Sequence, residues 1–390
     1  MNDVLDILIL PVSGGGFPCQ LAGLQHLCQI KYRPNLILAS SGGNVSAYIL
    51  LASTYHKQKM ERIVSELTPQ FFVSPWTLSN HLSIVRGFFN GTVYNQGNGL
   101  HQFMESYFDS NSVRETEIWT GTYNKVRQKS QLFCNRSPSD SLIRFASIDQ
   151  DLVQCLEPIY ANGNVEHIAN YTIASASIPA LVPHQTIDGE HYTDGGIASA
   201  SPLVTMQEAI IDVTRRSRST LHLIYINSVD LSYSERCPCF NLMDEGRQTM
   251  RDLIRSQTVI DRLSGHQIIR ILGLGSGVGS EGGGGERSNS KSNDGGIVYT
   301  KRFHCSYKNL LRYLEYRKSM TTSMLEIFPG HENTNIEINI TSFKGYDISN
   351  MMHQVYDHCH CRLWYTGGLL EMDYEEERNV KSENNDIIYL

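Results

Sequence analysis

Three short stretches of the sequence combine a hydroxyl or a carboxylate with very small residues: Ser13-Gly14-Gly15-Gly16, Ala39-Ser40-Ser41-Gly42-Gly43 and Asp194-Gly195-Gly196. A serine between a buried strand and an amphipathic helix stands on a sharp turn that needs small neighbours. The turn exposes the hydroxyl and aims the helix N-terminus at it, which is how a serine is presented as a nucleophile. Ser41 has that setting. Backbone N–H groups released by a glycine turn stabilise the charge that develops on a carbonyl oxygen during acyl transfer. Gly14, Gly15 and Gly16, with Gly42 beside the serine, are therefore candidate oxyanion donors. Asp194, ahead of two glycines, is a candidate base whose approach to a hydroxyl meets no bulky neighbour. Each stretch alone also reads as an ordinary tight turn.

The elements that must position these residues are written in the apolar pattern. Val4 to Val12 is a short, continuous apolar run that stops at the glycines, and it reads as a buried strand. Leu21, Leu24, Leu27 and Cys28 recur at helical spacing, Pro34 closes the unit, and Leu36 to Ala39 is a second buried strand. After Ser41, the positions Val45, Tyr48, Ile49, Ala52 and Tyr55 share one helical face. A strand-helix-strand-helix start of this kind predicts a mostly parallel central sheet sandwiched by helices, with the first two strands as parallel neighbours. Further on, Gln131 to Cys134 and Asp151 to Leu156 read as strands and Val165 to Ser175 as a helix. Asp188-Gly189 between β-like flanks reads as a two-residue hairpin leading into Asp194. Leu221 to Ile226 and Glu337 to Thr341 read as later strands.

In kind and in chain order these pieces resemble the patatin-like phospholipases, a family of lipid acyl hydrolases with a Ser-Asp dyad. The family's glycine-rich oxyanion turn resembles Ser13 to Gly16, its nucleophile motif Ala39 to Gly43, and its Asp-Gly-Gly motif Asp194 to Gly196. The run Ala174-Ser175-Ala176-Ser177-Ile178-Pro179-Ala180 is similar to the family's approach to its aspartate, and Ser201-Pro202 to the family's residues just after it. The resemblance spans roughly Val4 to Asn227. It implies a three-layer α/β/α fold, Ser41 as nucleophile, Asp194 as base, and oxyanion donors from the glycine turn and Gly42. It also implies a phospholipid or other glycerolipid ester as substrate, with no cofactor. Two departures stand out. Ala39 takes the place of a glycine, and Phe17-Pro18-Cys19 stands where the family has a basic residue and another glycine. Pro18 has no N–H and a fixed φ, so this part of the loop is expected to take a different shape. A catalytically impaired lipid-binding or interaction protein is the alternative reading. A hydrolase triad using His184 or His191 is disfavoured by chain order, because that fold places its acid before its histidine.

Composition narrows the partners. Of 390 residues 41% are apolar, enough for a large core, and the net charge of -7 lacks the basic footprint of nucleic-acid binding. Acidic residues stand at the N-terminus where a secretory signal would be basic, and no apolar run approaches the roughly 18 residues of a membrane span. The expected setting is cytoplasmic, with peripheral contact at membranes or lipid surfaces. Nine cysteines without the spacing of a disulfide scaffold read as mostly free thiols. His353, His358, Cys359, His360 and Cys361, with Cys237 and Cys239, look like metal ligands, but surface histidines and buried thiols are the commoner explanation. Phe71, Phe72, Val73, Trp76, Phe88 and Phe89 suit an acyl-chain tunnel or, more commonly, a core. Residues 1–230 are read as the catalytic α/β domain. Residues 231–390 are read as a region of helices and a late strand completing or covering it. That region carries a Gly/Ser-rich insertion at 273–296 and a polar acidic tail.

Overall fold

The computed structural model describes residues 4–13, 17–29, 32–66, 98–145, 157–179, 182–217, 219–227, 242–272, 299–306, 335–342 and 388–389. The chain opens with β1 (Val4–Leu10), α1 (Phe17–Gln29), β2 (Leu36–Ser40), α2 (Gly42–Ala52) and α3 (Lys57–Glu66). It continues through α4 (Gly99–Tyr107), β3 (Glu117–Asn124), β4 (Lys129–Cys134), β5 (Ile159–Tyr160) and α5 (Val165–Ser175). The hairpin β6 (Gln185–Ile187) and β7 (Glu190–Asp194) comes next, then α6 (Gln207–Ser217), β8 (Thr220–Asn227) and the long helix α7 (Leu242–Ile271). Three further strands are β9 (Tyr299–Ser306), β10 (Asn335–Ser342) and β11 (Ile388–Tyr389).

The strands form one mixed sheet in the order β11-β9-β10-β8-β1-β2-β3-β4-β5, with β7 against β3 and β6 against β7. Its centre, β8-β1-β2-β3, is parallel, and the expected neighbours β1 and β2 pair Leu8 with Ile37 and Leu10 with Ala39. The apolar run of β1 explains its place. Leu8 and Leu10 enter one core with α1, α2 and α3, while Leu5, Ile7 and Ile9 enter a second core with α6. A strand covered on both faces has no polar side, and each buried Leu or Ile is worth about 1.5–3 kcal/mol over an exposed one. The result is a three-layer α/β/α sandwich with helices on both faces.

Two elements depart from a simple amphipathic pattern. Helix α2, expected to present one apolar face, is buried along its whole length because α1, α3 and α5 pack around it. Tyr55 lies past its end, buried at φ 59°. Helix α7 carries Leu253, Val259, Ile260 and Leu263 on its exposed side, whereas Gln257, Thr258, Asp261 and Ser264 are buried. Among the described residues no helix is long and apolar enough to cross a membrane. The strand expected at 151–156, the aromatic positions from Phe71 to Phe89 and the insertion at 273–296 lie outside the described residues. So do the cysteine and histidine cluster and the acidic tail.

Candidate active site

Ser41 stands alone between β2 and α2, and its backbone takes φ 56° and ψ -132°. A non-glycine residue in that region carries strain on the order of 1–3 kcal/mol, which persists only where the surroundings enforce it. Close approach enforces it here. Gly43 lies so near the end of β1 that a Cβ on it would fall 2.2 Å from the Leu10 carbonyl oxygen and 2.6 Å from that of Pro11. The corner is also held from below. Ser41 N–H donates to Ser175 Oγ at 2.8 Å, and Ser175 Oγ donates to Gly121 O on β3 at 2.7 Å.

Asp194 reaches this corner along the hairpin predicted from Asp188-Gly189. Both turn residues have positive φ, 52° and 80°, which matches the twist of the flanking strands. Antiparallel pairing of β7 with β3 sets Asp194 opposite Thr122, one place beyond the pairing of Ser40 with Gly121. Ser41 Oγ donates to Asp194 Oδ2 at 2.6 Å. The other carboxylate oxygen, Oδ1, accepts the Gly196 N–H at 2.7 Å, so Gly195–Ile197 closes as a short turn capped by the aspartate itself. Both site residues are nearly closed off, with 3% of Ser41 and 4% of Asp194 exposed.

Burial raises the Asp194 carboxyl from its ordinary 3.8 to about 6, against the lowering effect of the Ser41 and Gly196 hydrogen bonds. It is thus ionised at neutral pH yet more basic than a solvated aspartate, which suits it to take a proton from a serine hydroxyl. Gly42 N–H opens α2, where the first turn of a helix leaves N–H groups without intrahelical partners. Such a donor beside the serine is suited to a developing oxyanion.

Of the residues singled out in the sequence, Ser41, Gly42 and Asp194 come together. Gly14, Gly15 and Gly16 lie outside the described residues, although Pro11, Val12 and Ser13 before them are buried and Val12 N–H donates to Ala200 O at 2.7 Å. Pro18 stands in the first turn of α1, where a missing N–H costs no helical bond. His184 and His191 face each other, with ring centroids 4.5 Å apart, and His191 Nδ1 lies 3.0 Å from Thr186 Oγ1. Sequence reasoning assigned Ser175 no individual role. A small hydroxyl ending a helix is its only signal. Among the described residues no group of three or more His, Cys, Asp or Glu is placed to hold a metal ion.

A strained serine at a strand-to-helix corner, bonded to a carboxylate in a largely parallel α/β sandwich, defines a fold of the hydrolase kind. The patatin-like phospholipase family model matches residues 10–206 of the 390, and the chain belongs to that family. The family is one of lipid acyl hydrolases. Comparison with curated proteins gave no match.

Proposed function

We propose that the protein is a serine lipid acyl hydrolase that cleaves ester bonds of phospholipids or other glycerolipids with Ser41 and Asp194. The observation that carries this reading is the 2.6 Å hydrogen bond from Ser41 Oγ to the buried Asp194 carboxylate. Ser41 Oγ attacks the ester carbonyl carbon as its proton passes to Asp194 Oδ2. The carbonyl oxygen then carries the negative charge, which N–H groups from Gly14, Gly15, Gly16 and Gly42 receive. Collapse breaks the ester C–O bond, and the departing alcohol takes the proton back from Asp194. Water then adds to the acyl-serine, giving a proton to Asp194. Collapse releases the fatty acid, and Ser41 Oγ takes that proton back. The scheme employs no metal or organic cofactor.

The substrate is a lipid ester met by peripheral contact at a membrane or lipid surface. A reducing, cytoplasmic setting fits Cys28 and Cys134, both buried free thiols. The test is covalent labelling by a fluorophosphonate probe, followed by mass-spectrometric product analysis of a mixed lipid extract. Labelling and fatty-acid release that disappear in Ser41→Ala support the hydrolase. No labelling of the folded chain overturns it in favour of a lipid-binding relative.

A further inference from the structure

Helix α7 turns polar side chains inward over the segment after Asp194. Gln257 Nε2 donates to Ile197 O at 3.2 Å. Four residues on, Asp261 is fully buried. Ser199 Oγ lies 3.4 Å from its Oδ1, Tyr225 OH of β8 lies 3.5 Å from its Oδ2, and Ser201 bonds it through side chain and backbone. Ser199 Oγ also donates to Ser201 O at 2.6 Å, and Ala200 O accepts the Val12 N–H at the end of the β1 segment. One carboxylate thus gathers the loop and the sheet onto the helix.

Burying a carboxylate is costly, and an apolar side chain of similar volume often gives equal or greater stability. Packing alone does not explain this residue. The loop it grips begins at Gly195, directly after Asp194, and the N–H groups of Ala198 and Ser199 fold back onto Gly195 O at 3.0 and 3.1 Å. That compact turn is what aims the Gly196 N–H at Asp194 Oδ1, leaving Oδ2 for Ser41. We infer that Asp261 is a positioning residue: it anchors the 195–201 loop to α7 so that the Asp194 carboxylate is presented to Ser41. The inference rests on the hydrolase reading above. It gives α7, which lies beyond the family match at 10–206, a part in the site.

Asp261→Asn replaces an acceptor oxygen by a donor facing hydroxyl donors, and Ser199→Ala removes one of the loop's two side-chain links, leaving that of Ser201. Both are measured in the full chain by amide hydrogen exchange over residues 194–203, by turnover of a soluble phenyl ester, and by melting temperature. In Asp261→Asn, exchange in the loop is expected to quicken about tenfold, with kcat falling about tenfold at nearly unchanged KM. Ser199→Ala should move the same way by less. Unchanged loop exchange in either folded variant overturns the anchoring. Faster exchange with unchanged kcat overturns the positioning role. If the wild type hydrolyses no ester and takes no fluorophosphonate label, the hydrolase reading fails on its own, and the exchange data still decide the anchoring.

Discussion

Asp194 pairs with Thr122 on β3, one residue beyond the pairing of Gly121 with Ser40. β2 runs parallel to β3 and β7 antiparallel, so the two strands approach head to head along the same edge of β3. Ser41 and Asp194 meet where they converge. Because side chains alternate faces along a strand, a slip of one residue in β7 would turn the carboxylate away from the serine. The register of the sheet is therefore part of the site.

In the proposed mechanism Asp194 is the base, and burial raises its carboxyl to about 6. Turnover should rise with pH through about 6 and level off above, as the carboxylate gains the capacity to accept the serine proton. Asp194→Asn keeps the size and loses the base. Hydrolysis should drop to nearly the Ser41→Ala level, and the double variant should be little worse than either alone, because the two residues act as a unit. A pH-rate profile and the three variants on one ester substrate check this; substantial turnover in Asp194→Asn would refute it.

Ser175→Ala tests the support beneath Ser41. The change strips the buried Ser41 N–H of its acceptor and Gly121 O of a donor. A buried polar group left without a partner costs about 1–3 kcal/mol, so a matching loss of stability is expected in urea unfolding. Turnover should fall with it, because the backbone that holds Ser41 at φ 56° has lost a tether. Cysteine at 175 should restore less than serine, since its sulfur is a weaker partner.

Much of the sheet was legible in the sequence because β1, β2 and β8 are buried on both faces and read as largely apolar runs, interrupted inside β1 by Asp6 and inside β8 by His222, which bond each other. The hairpin was legible from Asp188-Gly189, and the corner from Ser41 among small residues. β3 was not, although it sets the register of the site. Its Glu117, Thr120, Thr122 and Asn124 are buried polar residues, and specific partners offset that burial. Glu117 accepts from Trp119 Nε1 and Ser141 Oγ, Thr120 donates to Asn44, and Asn124 donates to Glu190. A hydropathy pattern sees the polar atoms and not the partners. The grip of α7 on the loop after Asp194 was hidden for a related reason: Gln257, Thr258, Asp261 and Ser264 are buried while Leu253, Val259, Ile260 and Leu263 are exposed.

Gly43→Ala probes the close packing of α2 on β1. A methyl group there would meet two backbone carbonyl oxygens at 2.2 and 2.6 Å, which no rotamer change relieves. Destabilisation at or above the about 1–3 kcal/mol of ordinary overpacking is expected, with loss of fluorophosphonate labelling as the corner shifts. Thermal unfolding and labelling together check it. A variant with wild-type stability and labelling would mean that α2 and β1 are not in contact.

The histidines offer a contrasting outcome. His184 and His191 pack on each other on the hairpin, and both Asp194 carboxylate oxygens are already engaged by Ser41 and Gly196. Replacing either histidine by Asn should leave most of the turnover. An inactive His191→Asn with an active Asp194→Asn would instead demand a histidine base.

The last prediction concerns stability and pH. Asp194 and Asp261 ordinarily titrate at 3.8, and burial raises them in the folded chain to about 6 and about 7. Between those limits the unfolded chain has already lost protons that the folded chain still holds. Each carboxyl therefore contributes stability that is complete below about pH 4, is lost as pH rises through its folded value, and changes no further above it. Asparagine does not ionise. Relative to wild type, the melting temperatures of Asp194→Asn and Asp261→Asn should therefore improve as pH rises from about 4 to about 8. The Asp261→Asn difference should level off last, because its folded value is the higher. Groups held low, such as Glu190 beside Arg127, act oppositely but equally in all three proteins, so they cancel in the difference. A difference that stays flat across this range would mean that the two carboxyls titrate as solvated ones do, and the buried network around them would have to be abandoned.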